Sequence, residues 1–211
     1  LKLGKKQFTD YITAFGLGEE TGIDLPSEAS GLIKNLFNGK EVELAIASFG
    51  QGIAVTPIEM VRALSALGNG GLLPSPHVIK RFEYELGYAK NVVSTEEEMR
   101  RVIKKETSEE ITRMLVEVVD KALKNGAVKM PHYSIAAKTG TAQIADRATG
   151  GYYADRFLHS FFGYFPAYNP RFIVFLYTVE PKADYASNTL TDPFISMVKF
   201  LINYYQIPPD R

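Results

Sequence analysis

Residues 136–143, Ala-Ala-Lys-Thr-Gly-Thr-Ala-Gln, concentrate groups that can bind an anion. Lys138 supplies an ammonium while Thr139 and Thr141 supply hydroxyls, and such groups hold a carboxylate by charge and hydrogen bonds. Gly140 has no side chain, so a second backbone can lie close to it. A short alternating segment leads into these residues and predicts a β-strand, whose edge N–H and C=O groups can pair with an extended peptide. The predicted chemistry is recognition of a peptide that carries a carboxylate.

The composition is that of a globular protein without a marked charge. The chain has 211 residues, 45% of them hydrophobic, which is enough to bury a substantial core. Lysine plus arginine number 24 and aspartate plus glutamate number 24, and this neutrality argues against a nucleic-acid-binding protein. Cysteine is absent, so disulfides, thiolate nucleophiles and cysteine-bound metals are excluded. We expect one domain over residues 1–211 and no cofactor.

Neither a membrane span nor a signal peptide is predicted from these residues. The longest apolar run, 172–177, is far shorter than the roughly 20 residues that cross a bilayer as a helix. The start, Leu1-Lys2-Leu3-Gly4, has no charged-then-apolar leader and no initiating methionine. We therefore expect the chain to be a piece of a longer one.

Two stretches in the first third of the chain have the spacing and end signals of helices. The first covers 8–15 and is followed by Gly16, which favours a helix end. The second opens at Thr56, a good N-cap, with Pro57 at the first helical position and Glu59 completing a capping box. Its predicted buried stripe consists of large apolar side chains, namely Ile58 or Met60 with Val61, Leu64 and Leu67.

The middle of the chain has weaker signals. Residues 78–88 are expected to form a strand or an irregular hairpin, and the charged run 94–98 an exposed helical turn. A second capping box at 107–110 is expected to open a long helix. The predicted buried face of that helix consists of Ile111, Met114, Leu115, Val118, Val119 and Ala122. Asn125-Gly126 is expected to end it.

The last part of the chain predicts three antiparallel strands and a closing helix. After the Lys-Thr-Gly strand comes a polar excursion at 146–156, then strands at 158–166 and 171–179. The last of these strands is mostly apolar without alternation, so we expect helices on both faces of the sheet. The closing helix is expected to be capped by Asp192 and started by Pro193. Its predicted buried stripe is Phe194, Ile195, Val198, Leu201, Ile202 and Tyr205.

Several separated segments match one protein family in order. They are Phe15-Gly16-Leu17-Gly18, Thr21-Gly22-Ile23-Asp24-Leu25-Pro26, Ser48-Phe49-Gly50-Gln51-Gly52, Val55-Thr56-Pro57, Asn69-Gly70-Gly71 with Pro74, Lys138-Thr139-Gly140-Thr141-Ala142-Gln143, Phe162-Gly163-Tyr164-Phe165-Pro166, Pro170-Arg171 and Pro193-Phe194. With them the chain resembles the C-terminal part of the transpeptidase domain of class B penicillin-binding proteins. The implied fold is α+β, an antiparallel sheet flanked by helices as in penicillin-binding proteins and serine β-lactamases, incomplete at its N-terminal side.

The resemblance implies acyl transfer through a serine. That serine attacks the penultimate D-Ala carbonyl of a peptidoglycan stem peptide, D-Ala leaves, and an amine of a second stem peptide resolves the acyl-enzyme. β-Lactam antibiotics acylate the same serine. Lys138 would maintain the protonation network around the serine, Thr139 and Thr141 would bind the terminal carboxylate, and the Thr141 N–H would be an oxyanion-hole donor. Gly140 would allow close approach, and Gln143 would line the cleft.

The nucleophile of the family is not found among these residues. Its Ser-x-x-Lys and Ser-x-Asn motifs are expected before Phe15, and neither occurs there. The literal Ser-x-x-Lys, from Ser196 to Lys199, falls on the closing helix, and Ser134 has the wrong spacing from Lys138. No Ser-x-Asn occurs in the sequence. We therefore expect this chain to contain no nucleophile and to be inactive alone.

The resemblance also implies partners and a location. The partners are the D-Ala-D-Ala stem peptide, β-lactam antibiotics, the upstream part of the same domain and membrane proteins of cell-wall synthesis, with no nucleic acid. The location is extracytoplasmic, in the periplasm or on the outer face of the cell membrane, with an N-terminal anchor outside this chain. Two other functions stay open, a non-catalytic sensor that binds β-lactams or peptides and a serine β-lactamase. The three histidines are interpreted as surface or core fillers, not as metal ligands.

Overall fold

The regular structure of the first half of the chain is mainly helical and the long strands all lie in the second half, the α+β arrangement that the sequence predicts. The computed structural model describes residues 2–92, 96–146 and 148–211. The chain divides into two compact units, Leu1–Ser108 and Glu109–Arg211. Within the described residues, no helix is both long and apolar enough to cross a membrane.

The elements of the two units follow in chain order. The first unit contains α1 (Lys5–Ala14), α2 (Lys34–Asn38), α3 (Glu41–Ala47), α4 (Pro57–Gly68), β1 (Leu72–Leu73), β2 (Arg81–Glu83), β3 (Ala89–Asn91) and β4 (Arg100–Arg101). The boundary between the units falls within α5 (Lys105–Glu117), which is followed by a π-helical turn (Val118–Ala122) and a 3-10 turn (Leu123–Gly126). The second unit then contains β5 (Ala136–Asp146), β6 (Gly151–Phe165), β7 (Phe172–Val179), α6 (Ala186–Thr189) and α7 (Thr191–Tyr204).

A buried carboxylate ties the loops of the first unit together. Glu59 lies in the first turn of α4 and forms the predicted capping box with Thr56. Its oxygens accept hydrogen bonds from the backbone N–H groups of Gly18 at 3.1 Å, Gly31 at 2.8 Å and Thr56 at 2.5 Å. Three donors satisfy a carboxylate that has no access to solvent. Two loops distant in sequence are thereby fixed to one helix end.

The buried face of α4 is not the predicted one. Its fully buried residues are Glu59, Ala63 and Ala66, whereas the large apolar side chains of the predicted stripe are half-buried. Ala66 packs with Leu73 and Val102, and its small side chain allows that close contact. The prediction was wrong because it placed the large apolar residues on the buried face of α4. In the structure that face consists of a hydrogen-bonded carboxylate, Glu59, and two small residues, Ala63 and Ala66.

A second carboxylate joins two loops of the same unit. Asp24 accepts hydrogen bonds from the backbone N–H groups of Val78 at 2.6 Å and Ile79 at 2.8 Å. These two bonds, the Val78 bond first, lower the pKa of the Asp24 carboxyl below its ordinary value of 3.8. The aspartate of the Thr-Gly-Ile-Asp-Leu-Pro segment therefore has a clear structural task, which is to hold the chain before β2.

The predicted elements between α4 and α5 are confirmed in part. Strands β2 and β3 pair as an antiparallel hairpin within 78–88 and its flank, and Glu96–Glu98 form an exposed 3-10 turn. Ser94 and Thr95 of the predicted turn lie outside the described residues. Helix α5 begins at Lys105 rather than at the predicted capping box.

Ser108 explains why that capping box is wrong. Its hydroxyl donates to the Leu67 carbonyl at 2.7 Å and accepts from the Gly70 N–H at 3.2 Å, so it bonds outside its own helix. The side chain is therefore buried inside the helix body instead of capping its end. Met114, expected on the buried face, is 52% exposed.

The sheet of the second unit is the predicted meander, with strand order β5-β6-β7 and antiparallel pairing throughout. Strand β6 begins at Gly151, well before the predicted position 158. The polar residues before it form a tight turn, in which Asp146 accepts from the Ala148 N–H at 2.9 Å and the Thr149 hydroxyl at 2.8 Å. Arg147 lies outside the described residues. Most of the predicted polar excursion, residues 146–156, is therefore strand. The turn closed by Asp146 lets β6 pair with β5 from Gly151 onward.

The core of this unit lies between the sheet and α7. Phe161 of β6 stacks on Phe194 of α7 with ring centroids 4.4 Å apart, and both are fully buried. Helix α7 begins at Thr191, just before the predicted cap, and its buried residues are Thr191, Phe194, Ile195, Val198 and Ile202. Most of the predicted stripe is therefore confirmed, although Tyr205 is exposed.

Helices lie on both faces of the sheet as expected, but β7 itself is covered only in part. Val174 is its one buried residue, and Tyr177 and Val179 are more than half exposed. Strand β7 is the outer strand of the sheet, so α7 covers its inner face while the other face meets solvent along much of its length. On the face opposite α7, the Thr112 hydroxyl of α5 lies 2.8 Å from the Tyr164 hydroxyl of β6, so the second helical cover reaches β6 but leaves the end of β7 exposed.

Gly163 of β6 is where the sheet and α7 approach most closely. A Cβ at this position would overlap the Phe194 ring and would lie 2.8 Å from the Ala137 Cβ and 2.9 Å from the Ala136 carbonyl oxygen. Replacing Gly163 by alanine is expected to lower the free energy of unfolding by about 1–3 kcal/mol, the usual cost of overpacking a core. Urea denaturation followed by circular dichroism measures the change.

Gly151→Ala in the same strand is the matched control, because its Cβ would meet only the Thr149 hydroxyl at 3.7 Å. This control should be neutral or slightly stabilising, since a strand glycine carries an entropy cost. Equal stability of the two variants would contradict the packing described at Gly163.

Replacing Asp24 by asparagine is expected to lower the urea midpoint at pH 7, because one of the two N–H groups loses its acceptor. The folded-state pKa of Asp24 is lowered, so its stabilisation is fully present above pH 3.8 and is lost as the pH falls through the folded-state value. The difference between wild type and variant should therefore shrink below about pH 4. Exposed Asp155→Asn is the control for the lost charge. A difference that persists unchanged into acid would contradict the assignment.

Candidate functional site

The Lys-Thr-Gly residues lie on β5, an outer strand of the three-stranded sheet. Strand β5 pairs with β6, with Lys138 opposite Phe162, Gly140 opposite Ser160 and Thr141 opposite His159. No other strand pairs with β5 in the described parts of the chain. The predicted strand edge is therefore open to an added peptide strand.

The strand divides its polar side chains between two faces, because successive residues of a strand point to opposite sides. Ala137 belongs to the core under α7, so Thr139 and Thr141 lie on that face, whereas Lys138 lies on the other. The structure therefore does not bring the ammonium and the two hydroxyls onto one surface. They can act on a single ligand only at the edge of the strand.

The hydrogen-bonding direction of β5 follows from one bond at the far side of the sheet. The Glu180 N–H donates to the Phe157 carbonyl at 2.8 Å, in the register that pairs β6 with β7. Residues of an antiparallel strand alternate in the side to which their polar groups point. Even-numbered residues of β6 and of β5 therefore bond to each other, and the N–H and C=O groups of Thr139 and Thr141 point to the open edge.

The side chain of Lys138 reaches the same edge. Its Nζ donates to the carbonyl of Thr139 at 2.8 Å, and the side chain is exposed. An ammonium has three donors, so this bond leaves others for a ligand. The Lys138 ammonium and the backbone N–H and C=O groups of Thr139 and Thr141 therefore all lie at the unpaired edge of β5.

The hydroxyl of Thr141 has a defined partner. Its Oγ1 accepts a hydrogen bond from the Ala186 N–H at 3.1 Å, at the start of α6. A threonine hydroxyl can also donate one hydrogen bond, and Thr141 is exposed. The arrangement directs the hydroxyl proton away from α6, where a carboxylate could accept it. Thr139 is half-buried beside Phe161.

Gly140 has a second reason to be glycine. A Cβ there would lie 2.6 Å from the hydroxyl oxygen of Ser160 on the neighbouring strand. Ser160 therefore fills the space that a side chain at 140 would need, and the glycine remains half-exposed. Ligand approach at Gly140 stays a prediction. The sequence reading missed Ser160, which only the strand register brings next to Gly140.

Gln143 bonds within the hairpin. Its amide nitrogen donates to the Tyr153 carbonyl at 3.1 Å, and the side chain is half-buried. This bond stiffens the end of β5, so the role of Gln143 toward a ligand stays a prediction. Among the residues that the structure describes, no cluster of three or more metal-ligating side chains occurs.

Ser196 and Ser134, which their sequence positions exclude as nucleophiles, also have surroundings that do not suit a nucleophile. Ser196 and Lys199 are exposed on the outer side of α7, away from its buried residues, as expected for a polar helix face. Ser134 is fully buried; its hydroxyl donates to the Asp210 carboxylate and its N–H donates to the same carboxylate at 2.7 Å. Neither serine is placed to attack a ligand on the edge of β5.

The sequence predicts a filler role for His159, whereas the structure shows it buried and hydrogen-bonded beside the Lys-Thr-Gly strand. It is fully buried on β6 directly opposite Thr141, and its Nδ1 lies 2.8 Å from the Thr189 hydroxyl. A polar histidine among the apolar residues of a predicted strand could have marked this position in the sequence. Placing it opposite Thr141 requires the pairing register of β5 and β6, which the sequence alone does not fix.

Known proteins share both the sequence pattern and the fold of this chain. Residues 1–198 match the penicillin binding protein transpeptidase domain. Stage V sporulation protein D of Bacillus subtilis is 38% identical over 184 residues, covering 86% of this chain and 28% of that protein. The penicillin-binding protein PbpB of Mycolicibacterium smegmatis is 29% identical over 219 residues, covering 98% of this chain and 33% of that protein. The chain thus spans about a third or less of the length of these relatives.

Solved structures of penicillin-binding protein 3 from Mycobacterium tuberculosis share the fold. The complex with ampicillin superposes with a TM-score of 0.85 at 26% identity, covering 99% of this chain and 48% of that one. The apo form gives a TM-score of 0.86 at 26% identity, covering 100% and 49%. A meander with an open Lys-Thr-Gly edge strand, a match over most of the sequence and these superpositions lead to one assignment. The chain belongs to the penicillin-binding protein transpeptidase domain family.

Proposed function

We propose that this chain binds the C-terminal end of a peptidoglycan stem peptide along the open edge of β5, as the substrate-binding part of a serine D,D-transpeptidase. The observation that supports the proposal is that the backbone hydrogen-bonding groups of Thr139 and Thr141 point to the unpaired edge of β5. Thr139 offers its C=O and Thr141 its N–H at the same edge, two residues apart. That spacing suits one residue of an extended peptide added as a strand.

The charges of this edge suit a peptide that ends in D-Ala-D-Ala. The Thr141 hydroxyl, oriented by its bond from Ala186, donates to the terminal carboxylate. The Lys138 ammonium adds positive potential at the same line and supports the charge state of the reacting serine. Ampicillin in the complex with penicillin-binding protein 3 of Mycobacterium tuberculosis is also a carboxylate, which supports the same role for β-lactams here.

The proposed reaction is acyl transfer in two steps. A serine Oγ forms a bond to the penultimate D-Ala carbonyl carbon, its proton passes to a neighbouring base, and the terminal D-Ala departs as the protonated amine. The Thr141 N–H stabilises the oxyanion of the tetrahedral intermediate, and one such donor is worth roughly 3 kcal/mol of barrier. An amine of a second stem peptide then attacks the ester and regenerates the serine.

The serine itself is proposed to come from chain outside these 211 residues. The printed sequence has a single Ser-x-x-Lys, on the outer face of α7, and no Ser-x-Asn. The same proposal places the protein outside the cytoplasm, where peptidoglycan is cross-linked, with an anchor and cell-wall synthesis partners beyond this chain.

Covalent labelling by a fluorescent penicillin tests this proposal. The 211-residue chain alone should remain unlabelled after denaturing electrophoresis, whereas the product of the full reading frame should be labelled, and ampicillin should compete. Labelling of the 211-residue chain would show that its nucleophile has been misplaced. Lack of labelling in the full product would exclude acyl transfer. Release of the label within seconds would favour a β-lactamase, and a permanent acyl form without transpeptidation a sensor.

Replacing Thr141 by valine tests the carboxylate contact. Valine keeps the shape but removes the hydroxyl, so acylation of the full product by benzylpenicillin should fall about tenfold or more, as for a lost hydrogen bond to a charged group. Thr141→Ser retains a hydroxyl and should stay within about threefold of wild type. The second-order rate constant of acylation measures both. Equal rates for valine and wild type would exclude Thr141 from carboxylate binding.

A further inference from the structure

A buried histidine lies next to the ligand-binding edge on the inner face of the sheet. His159 is opposite Thr141 in the register of β5 and β6, so both side chains point to the same face. Phe157 and Phe161 flank His159 along β6 on that face, and the ring of Phe157 lies 6.3 Å from the imidazole. The environment of the imidazole is therefore largely apolar.

Three hydrogen bonds connect this histidine to Thr141. The His159 Nδ1 and the Thr189 Oγ1 are 2.8 Å apart, and the Thr189 hydroxyl also lies 3.3 Å from the Ala186 carbonyl. The N–H of Ala186 in turn donates to the Thr141 Oγ1 at 3.1 Å. A path thus runs from β6 through the short helix α6 to the hydroxyl on β5.

The path fixes the orientation of the Thr141 hydroxyl. Helix α6 has four residues, and the Leu190 N–H donates to the Ala186 carbonyl at 2.9 Å, which ties α6 to the start of α7. The hydrogen bond between His159 and Thr189 adds a side-chain link from β6 to the same turn, because the Thr189 hydroxyl also bonds the Ala186 carbonyl. If α6 shifts, the Thr141 oxygen loses its donor and the hydroxyl proton loses its fixed direction.

Within the described residues, the one hydrogen bond of the His159 side chain is the bond with Thr189. Its Nε2 is buried and has no hydrogen-bond partner among residues 2–92, 96–146 and 148–211. An unpaired buried polar atom costs free energy that a phenylalanine at the same place would not incur. The imidazole therefore contributes through its one bond to Thr189.

We infer that His159 is a positioning residue that orients the Thr141 hydroxyl, through Thr189 and Ala186, toward the carboxylate of the ligand. The inference rests on the proposed function of Thr141. It assigns His159 a part in ligand selectivity, since the residue touches neither the ligand nor the reacting atoms. Loss of the histidine should weaken acylation by ligands with a free carboxylate more than acylation by ligands without one.

The test compares benzylpenicillin with its methyl ester on the product of the full reading frame. His159→Phe and Thr189→Val each break the path while keeping similar shape. Both should lower the acylation rate constant for benzylpenicillin about three- to tenfold, the range for one lost neutral hydrogen bond, and should leave the rate for the ester within about twofold. Thr141→Val should lose at least as much selectivity for the free carboxylate and provides the reference.

Conservative variants supply the rescue arm. His159→Asn keeps a polar atom near the position of Nδ1, and His159→Gln places one near Nε2 instead. Asparagine should recover most of the benzylpenicillin rate, whereas glutamine should behave like phenylalanine. Thr189→Ser keeps the hydroxyl and should match wild type. Thermal melting of every variant checks that each is folded at the assay temperature.

The outcomes separate this inference from the proposed function. Selectivity lost in Thr141→Val but retained in both path variants, with all proteins folded, would overturn the inference and leave the proposed function intact. Equal loss for benzylpenicillin and its ester in His159→Phe would show a purely structural role and also overturn it. Unchanged selectivity in Thr141→Val would remove the carboxylate contact itself, and the inference with it. Parallel selectivity losses with asparagine rescue would support it.

Discussion

The contact between Gly163 and Phe194 sets the geometry of the second unit. Because position 163 has no Cβ, the Phe194 ring can lie directly on the sheet and stack on Phe161. Helix α7 is thereby held close to β6, and Ala137 of β5 fits beside the same ring. The distance between sheet and helix is thus fixed by one missing methyl group. Every other feature of the candidate site depends on the face that this contact buries.

Burial of Ala137 under α7 decides which way the other side chains and the backbone groups of β5 point. Thr139 and Thr141 share the α7 face with Ala137, so their side chains cannot turn to the face of Lys138. The alternation also directs their backbone N–H and C=O groups to the open edge. Ammonium, hydroxyl and backbone groups therefore meet only along that edge, which is where the proposed ligand would lie beside β5.

The sequence predicted the parts of this arrangement that depend on local signals. The α4 capping box, the order of the three strands and most of the α7 stripe follow from residues near one another in the chain. Contacts between distant residues account for the failures. Glu59 replaced the expected apolar face of α4 because loops distant in sequence bond to it. The capping box predicted at 107–110 lies inside α5, where Ser108 bonds to the end of α4 and to the loop after it. His159 and Ser160 gained meaning only from a register that places them beside Thr141 and Gly140.

The same register explains why a short helix belongs to the site. A threonine hydroxyl on a solvent-exposed strand rotates freely unless something accepts from it or donates to it. Helix α6 supplies that donor through Ala186, and α6 is in turn tied to the buried strand by Thr189 and His159. The proposed binding element is therefore more than the strand edge, because the Thr141 hydroxyl accepts a hydrogen bond from α6 on the inner face of the sheet. If Thr141 binds a carboxylate as proposed, selectivity for that carboxylate would depend on a core residue that no ligand contacts, and core substitutions near β6 would alter ligand preference without altering the edge.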